Sequence, residues 1–170
     1  MGSTLSLTNL QGLTSGNDAN TVKVPSGHTL HAPGHVIQTV SAVFTDLQTY
    51  TNSTTLVNTT LTGTITPKFS TSKILVTIST QGHTSSSGDY GLYGLKRGTT
   101  NLESGRSFAT QKNDDWETIS FSYLDSPATT SATTYTLTMK SYAGSNYVYH
   151  GWGTSTGGSV QNMILQEIAQ

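Results

Sequence analysis

The stretch TTYTLTMKSYAG, residues 133–144, alternates apolar and hydroxyl-bearing side chains with a period of two. Tyr135, Leu137 and Met139 fall on one face of such a segment, and threonines fall between them. This period is that of a β-strand, because successive side chains of a strand point to opposite faces. The stretch therefore predicts a strand with one face in a core and the other face in water.

The same alternation occurs on both sides of this stretch along the chain. In SKILVTISTQG, residues 72–82, Ile74, Val76 and Ile78 share one face, and Leu75 lies on the opposite face. The segments HVIQTVSAVFTD, DYGLYGLKRGTTNLE and DWETISFSYLDSPA add further strand candidates, each bounded by turn residues. These patterns predict roughly seven to nine strands between residue 35 and residue 170, arranged as an all-β sandwich or barrel.

The last segment, SVQNMILQEIAQ, carries three consecutive apolar residues at 163–165. Its residue types would also permit a helix. A final strand inserted between two neighbours accounts better for an apolar side chain on both faces. We therefore expect a closing strand in the interior of a sheet.

Residues 1–33 contain little core material and are interrupted by glycines and prolines. We expect short strands and turns there, forming an extended N-terminal connector or anchoring arm. The head domain is predicted to span residues 34–170. An arm of this kind needs another surface to pack on, such as a sister chain or a larger assembly.

Composition excludes several classes of function. The chain has 170 residues, a net charge of −1 and only 10% charged residues, so no basic patch is available for a nucleic-acid backbone. It has no cysteine, and no apolar run long enough to insert in a membrane. Nearly a third of the residues are Ser or Thr, which suits strands and an uncharged hydroxyl-bearing surface. None of the nucleophile-elbow, P-loop, HExxH or dinucleotide motifs occurs, so we expect no enzyme and no cofactor.

Four segments resemble a family of phage tail-fibre-like proteins that is common in marine viruses. They are GHVIQTVSAVFTD, ITPKFSTSKILVTIS at 65–79, YGLYGLKRGTTNL and SVQNMILQEIAQ, in the family's order. The resemblance covers residues 35–170. It implies a jelly-roll β-sandwich similar to the tumour-necrosis-factor and complement-type domains, which assembles as a homotrimer on a virion.

The stretch GHTLHAPGH, residues 27–35, holds three of the five histidines: His28, His31 and His35. Pro33 and Gly34 exclude a helix that would align them, and on one strand they would not share a face. A metal site is therefore conceivable only across a three-fold axis, where each histidine would be present in triplicate. The alternatives are exposed or interchain hydrogen-bonding histidines, or a connector sensitive to pH. His83 and His150 are expected to lie in surface loops.

The stretch GSNYVYHGWG, residues 144–153, is the candidate contact surface for a host glycan or protein. Tyr147, Tyr149 and Trp152 alternate with glycines and other residues in what we expect to be a loop. Aromatic rings offer flat apolar faces with a polar edge, which suits recognition of sugars or proteins. The alternative is that these tyrosines pack on a sheet or in a trimer core.

Together these observations favour a non-enzymatic, homotrimeric virion protein, made in the host cytoplasm and exposed on the particle, that contributes to host attachment. Residues 1–33 would bind other virion proteins. The alternative is a capsid decoration (cement) protein or a tail adaptor without receptor binding, which the brevity of the arm favours. A glycan-active enzyme lacks a supporting set of residues.

Overall fold

The computed structural model of the protein describes residues 24, 26–45, 49–85, 88–103, 107–112, 115–145, 147–151, 153–154 and 157–170. The chain divides into two units, Met1–His31 and Ala32–Gln170. The boundary predicted from the sequence, after residue 33, lies two residues beyond this division after His31. In the first unit the described residues are exposed, and Gly27 turns the chain with a φ of +83°. The short strands expected in residues 1–23 lie outside the described residues.

The second unit is all-β, as predicted, and its described residues contain no helix. The strands are β1 Val36–Phe44, β2 Thr49–Thr51, β3 Val57–Ile65, β4 Lys73–Thr84, β5 Gly91–Arg97, β6 Thr100–Asn101, β7 Ala109–Gln111, β8 Glu117–Asp125, β9 Thr133–Ser141, β10 Val148–His150, β11 Gly153–Thr154, β12 Gly157–Gly158 and β13 Gln161–Ile168. Within the described residues, seven of them are seven residues or longer, which fits the predicted seven to nine. The others have two or three residues, too few to show a period in the sequence. No helix in the described residues is long and apolar enough to cross a bilayer.

The first sheet has the order β1–β13–β4–β8, and every pair in it is antiparallel. The closing strand β13 lies between β1 and β4, as its doubly apolar centre predicted. β4 is long enough to pair with β13 through Lys73–Ser79 and then with β10 through Gly82–Thr84. The short strand β2 pairs with the other edge of β10. This sheet therefore has a broad end at which β10 and β2 extend it.

The second sheet has the order β3–β9–β5, and the short strands β6 and β7 both pair with β5. Gly98, with a φ of +55°, makes the turn of the β5–β6 hairpin. The strands β11 and β12 form a separate two-stranded sheet.

The two main sheets pack face to face, and the core lies between them. Tyr135, Leu137 and Met139 are all fully buried, which confirms the face predicted from the alternation in β9. Ile74, Val76 and Ile78 of β4 meet them from the other sheet in the same core cluster. The other buried members of the cluster are Leu61, Ile65, Tyr93, Leu95, Ile119, Val148, Met163 and Leu165.

The outward face of the first sheet carries some apolar residues from its narrow end, near Lys73, to its middle. Leu75 and Leu124 are Cα partners on β4 and β8, and Leu124 is 47% exposed. Ile164 on β13 is half-buried on the same face, and Val43 on β1 is 56% exposed. Two of these four side chains, Val43 and Leu124, are therefore exposed in the single chain, on the edge strands β1 and β8, and polar residues such as Asn162 and Thr77 lie between them.

The second unit begins and ends at the same edge of the first sheet. The backbone N–H of Gly34 donates to the carbonyl of Ala169 at 2.8 Å, and the N–H of Ala169 donates to the carbonyl of His35 at 2.9 Å. These bonds continue the β1–β13 pairing beyond the ends of both strands.

Candidate functional site

Five aromatic or heteroaromatic side chains form a continuous surface at the broad end of the first sheet. We call this surface the aromatic ladder; its members are Tyr50, His83, Trp116, Tyr147 and Tyr149. His83 stacks on Trp116 with ring centroids 5.0 Å apart and an interplanar angle of 25°. Tyr149 lies 5.3 Å from His83 and 5.7 Å from Tyr50, and Tyr147 meets Tyr50 edge-on at 5.5 Å.

Strand register explains why these residues share one face. Tyr149 on β10 is the Cα partner of His83 on β4 and of Tyr50 on β2. Directly opposed residues of antiparallel strands project to the same side, close enough for ring contacts. Trp116 precedes β8, whose first residue Glu117 pairs with Gly82, so the tryptophan reaches the position beside His83.

The expectation that His83 lies in a surface loop is wrong. It belongs to β4, half-buried on the outward face, because the alternation of SKILVTIST continues without interruption through QGHT. The expectation of a loop around Tyr149 is also wrong, since Val148–His150 is strand β10. The alternative, that Tyr149 packs on a sheet, is the arrangement observed.

His150 was expected in a surface loop as well, and it is instead fully buried. It follows Tyr149 on β10 and therefore points to the opposite, inward face of the sheet. Burial lowers the pKa of His150 to about 4, so the ring is neutral at pH 7. Neither ring nitrogen has a hydrogen-bond partner within the described part of the chain.

Tyr93 supports the ladder from inside the sandwich. Its hydroxyl donates to the carbonyl of Tyr149 at 2.6 Å. Desolvation by burial raises the pKa of Tyr93, so the hydroxyl keeps the proton that this bond needs. A Cβ on Gly82 would collide with that hydroxyl, and only glycine lets the ring pass so close to β4.

Tyr147 is anchored to the end of β4 by two hydrogen bonds. Its N–H donates to the hydroxyl of Ser85 at 3.0 Å, and its carbonyl accepts from the N–H of Ser85 at 2.9 Å. The ring is 44% exposed, and that of Tyr50 is 59% exposed. Of the three predicted contact residues, Tyr147 and Tyr149 therefore come together in the ladder, with centroids 6.4 Å apart. Trp152 lies outside the described residues.

The three clustered histidines are all exposed; His28 and His31 belong to the first unit and His35 to the second. Among the described residues no group of three or more His, Cys, Asp or Glu could hold a metal ion within one chain. A metal site shared across a three-fold axis stays a prediction.

Sequence reasoning missed three members of the ladder. Trp116 and His83 carried a signal in the sequence: His83 is in phase with the outward-facing residues of β4, and Trp116 with those of β8, which it precedes. Tyr50 carried no such signal in the sequence, since the position of its three-residue strand β2 is set by pairing with β10.

The ladder presents aromatic rings on the outward face of the first sheet. Its rings present flat apolar surfaces, and the residues between it and Leu75 on β4 are Thr77, Ser79 and Gln81. Such rings stack on the C–H face of a sugar or on apolar side chains of a protein, with hydroxyl edges free to bond. No protein-family model matches the chain, and no curated protein is significantly similar to it.

Proposed function

We propose that the chain is a non-enzymatic, homotrimeric virion surface protein, similar to phage tail fibres, that contributes to host attachment through the aromatic ladder. It is made in the host cytoplasm and displayed on the particle. The ladder carries this proposal, because five rings from four different segments of the chain form one surface outside the core, on which Tyr50 and Tyr147 are exposed.

The order of the strands supports a jelly-roll topology. From β3 onward the long strands cross between sheets: β3 is in the second, β4 in the first, β5 in the second, β8 in the first, β9 in the second and β13 in the first. The first and last long strands, β1 and β13, are neighbours. A jelly roll likewise distributes its eight strands over two sheets by repeated crossing. The tumour-necrosis-factor-like form of that fold remains part of the proposal.

Self-association is supported by the outward face of the first sheet. Val43 and Leu124 are exposed on this face, and Leu75 and Ile164 are half-buried between them. Exposed apolar residues on one face of a sheet are typical of association surfaces. Three copies related by a three-fold axis would cover them, and residues 1–33 would bind other proteins of the particle.

Sedimentation equilibrium tests the assembly. A trimer has three times the 18.0 kDa mass of the chain. A folded, soluble monomer at sub-micromolar concentration would contradict the homotrimer.

Binding of the fluorescently labelled protein to a panel of marine bacterial isolates tests attachment. We expect saturable binding to some isolates that Tyr149→Ala reduces at least about tenfold, as for a central aromatic contact. Tyr142→Ala is the matched control, because Tyr142 is 66% exposed and lies outside the ladder. Equal loss in both variants, or none in either, would rule out the ladder. A stable trimer that binds no isolate would favour the capsid decoration or tail adaptor role.

A further inference from the structure

Four rings of the aromatic ladder form a row that runs across the strands rather than along them. Tyr149 on β10 lies between its Cα partners, His83 on β4 and Tyr50 on β2. Trp116, next to the first residue of β8, continues the row on the other side of His83, with ring centroids 5.0 Å apart. Neighbouring strands lie about 4.8 Å apart, so a row over four strands is about 14 Å long. A ligand that contacts the whole row is therefore extended and lies perpendicular to the strands.

Successive rings of this row are tilted against each other. The interplanar angle is 25° between Trp116 and His83, and 59° between His83 and Tyr149. It is 39° between Tyr149 and Tyr50. The flat surface of a crystalline polysaccharide would need coplanar rings to lie on. Tilted rings instead fit a single chain whose units also turn from one to the next.

Polar groups on and beside the row are available to a ligand that carries hydroxyls. The phenol hydroxyls of Tyr50, Tyr147 and Tyr149 make no hydrogen bond to any residue in the described part of the chain. Gln81 and Thr118 are Cα partners next to the row on β4 and β8, and their side chains make none there either. Hydroxyl and amide groups both donate and accept, as the hydroxyls of a sugar do. An apolar protein surface laid on the row would leave these groups unpaired, at a cost in free energy.

The charges around the row favour a neutral ligand. Segments 49–53, 81–85, 115–118 and 147–151, which supply the rings, contain neither Lys nor Arg. Their carboxylates are Asp115, which is exposed, and Glu117, which is half-buried. An anionic chain would meet repulsion there without a compensating cation from these segments. Both carboxylates lie at the Trp116 end, so a polycation would be attracted to that end alone.

We propose that the ladder binds one chain of a neutral polysaccharide, which lies across the strands from Trp116 to Tyr50. The C–H faces of its sugar units contact the rings, and its hydroxyls bond to the phenol edges, Gln81 and Thr118. A chain that covers this length has at least about three sugar units over the four strands. This inference rests on the proposed function, because the same surface carries both.

Calorimetric titration of the full chain with oligosaccharides tests the length and charge of the ligand. The neutral probes are maltohexaose, laminarihexaose and α-1,6-mannohexaose, each with its own disaccharide. The charged probes are hexaguluronate and the hexamer of glucosamine. We expect at least one neutral hexamer to bind saturably and at least about tenfold more tightly than its disaccharide, because the shorter chain contacts fewer rings. The charged hexamers should bind more weakly than that neutral hexamer.

Absence of saturable binding by all three neutral hexamers would overturn the proposal. Equal affinities for a hexamer and its disaccharide would contradict a chain that spans the row. Tighter binding of either charged hexamer would contradict a neutral ligand.

Substitutions along the row test where the chain lies. Tyr149→Ala, at the centre, should weaken the hexamer at least about tenfold, and Trp116→Ala and Tyr50→Ala, at the two ends, should each weaken it severalfold. Tyr142→Ala is the matched control, because its ring is 66% exposed and lies outside the ladder. Should Tyr149→Ala fail to fold, Tyr50→Ala still decides the matter, because the Tyr50 side chain is 59% exposed. Wild-type affinity in both end variants would contradict the proposed path of the chain.

Treatment of the bacterial cells separates this proposal from the attachment function. Periodate cleaves the vicinal diols of sugars, whereas proteinase K removes surface proteins. Adsorption that depends on Tyr149, survives periodate and is lost after proteinase K contradicts the polysaccharide and leaves attachment intact. Binding of a hexamer that depends on Tyr149, in a protein that adsorbs to no isolate, contradicts attachment and leaves the polysaccharide intact.

Discussion

Oε1 of Glu167 accepts a hydrogen bond of 2.8 Å from the backbone N–H of Lys68, 99 residues earlier in the chain. The same oxygen accepts from the N–H of Phe69 at 3.1 Å, and Oε2 accepts from the side chain of Gln38 at 2.6 Å. One fully buried carboxylate thus joins the closing strand β13, the turn before β4 and the first strand β1. It fixes the three segments that form the narrow end of the first sheet.

Glu167→Gln should destabilise the protein by about 2 kcal/mol, because charge-assisted hydrogen bonds to two backbone amides are weakened. Burial alone would raise the pKa of Glu167, but its hydrogen bonds together lower it below the usual range. Its contribution is therefore present above the unfolded-state pKa and is lost as the pH falls through the carboxyl range. Urea denaturation at pH 7 and pH 3 measures both effects. Gln166→Ala, a neighbour on the outward face, should change the free energy of unfolding by less than about 0.5 kcal/mol.

Acidification should destabilise the fold through His150 well before the carboxylates titrate. The folded-state pKa of about 4 lies below the ordinary histidine pKa of 6.5, so the unfolded chain binds the proton first. The contribution of neutral His150 to the free energy of unfolding is fully present above pH 6.5 and is lost as the pH drops toward 4. The loss is on the order of 2 kcal/mol at pH 5. His150→Phe should remove this pH dependence in thermal denaturation at pH 7 and pH 5, whereas His28→Gln should retain it. An unchanged slope in His150→Phe would contradict the assignment.

Arg97→Met should cost about 3 kcal/mol in unfolding free energy. Asp125 is 5% exposed; the Arg97 guanidinium contacts it at 2.7 Å, and the Tyr135 hydroxyl donates to it at 2.7 Å. Removing the cation leaves a buried carboxylate without its counter-charge. Tyr135→Phe removes one hydrogen bond and should cost only about 1 kcal/mol. Lys96→Met, the adjacent outward position, serves as the control in the same chemical denaturation series. A smaller loss from Arg97→Met than from Tyr135→Phe would contradict this ranking.

Gly82→Ala should perturb the ladder from beneath. The new methyl group would overlap the Tyr93 hydroxyl and approach Cγ1 of Ile119 at 2.9 Å, so Tyr93 must move and lose its bond to Tyr149. We expect a loss of about 1–3 kcal/mol, typical of overpacking, together with altered near-ultraviolet circular dichroism from the tyrosines. Tyr93→Phe isolates the hydrogen bond and should cost about 1 kcal/mol. Near-identical spectra for Gly82→Ala and the wild type would show that the close approach has no structural role.

The long strands could be predicted from sequence because each repeats its pattern over several periods. The alternation around Leu137 identified the buried face of β9, and the run at Ile164 placed β13 inside a sheet. The ladder could not be predicted in the same way, since β2 and β10 have only three residues each. Their positions depend on pairing with each other and with β4, which the sequence does not show. His150 was wrongly assigned to a loop for the same reason. Its neighbours in sequence include tyrosine and glycine, which are common in loops, and the sequence alone does not reveal the pairing of β10.

The hydrogen bond between Gly34 and Ala169 holds the first and last residues of the second unit at the same end of the first sheet. Both ends of the second unit lie near Lys73, while Tyr149 and His83 lie at the opposite end of the sheet, ten residue steps or about 33 Å along β4. A fluorophore or fusion partner joined at Gln170 would therefore emerge beside the root of the N-terminal segment and leave the ring-bearing pole unobstructed.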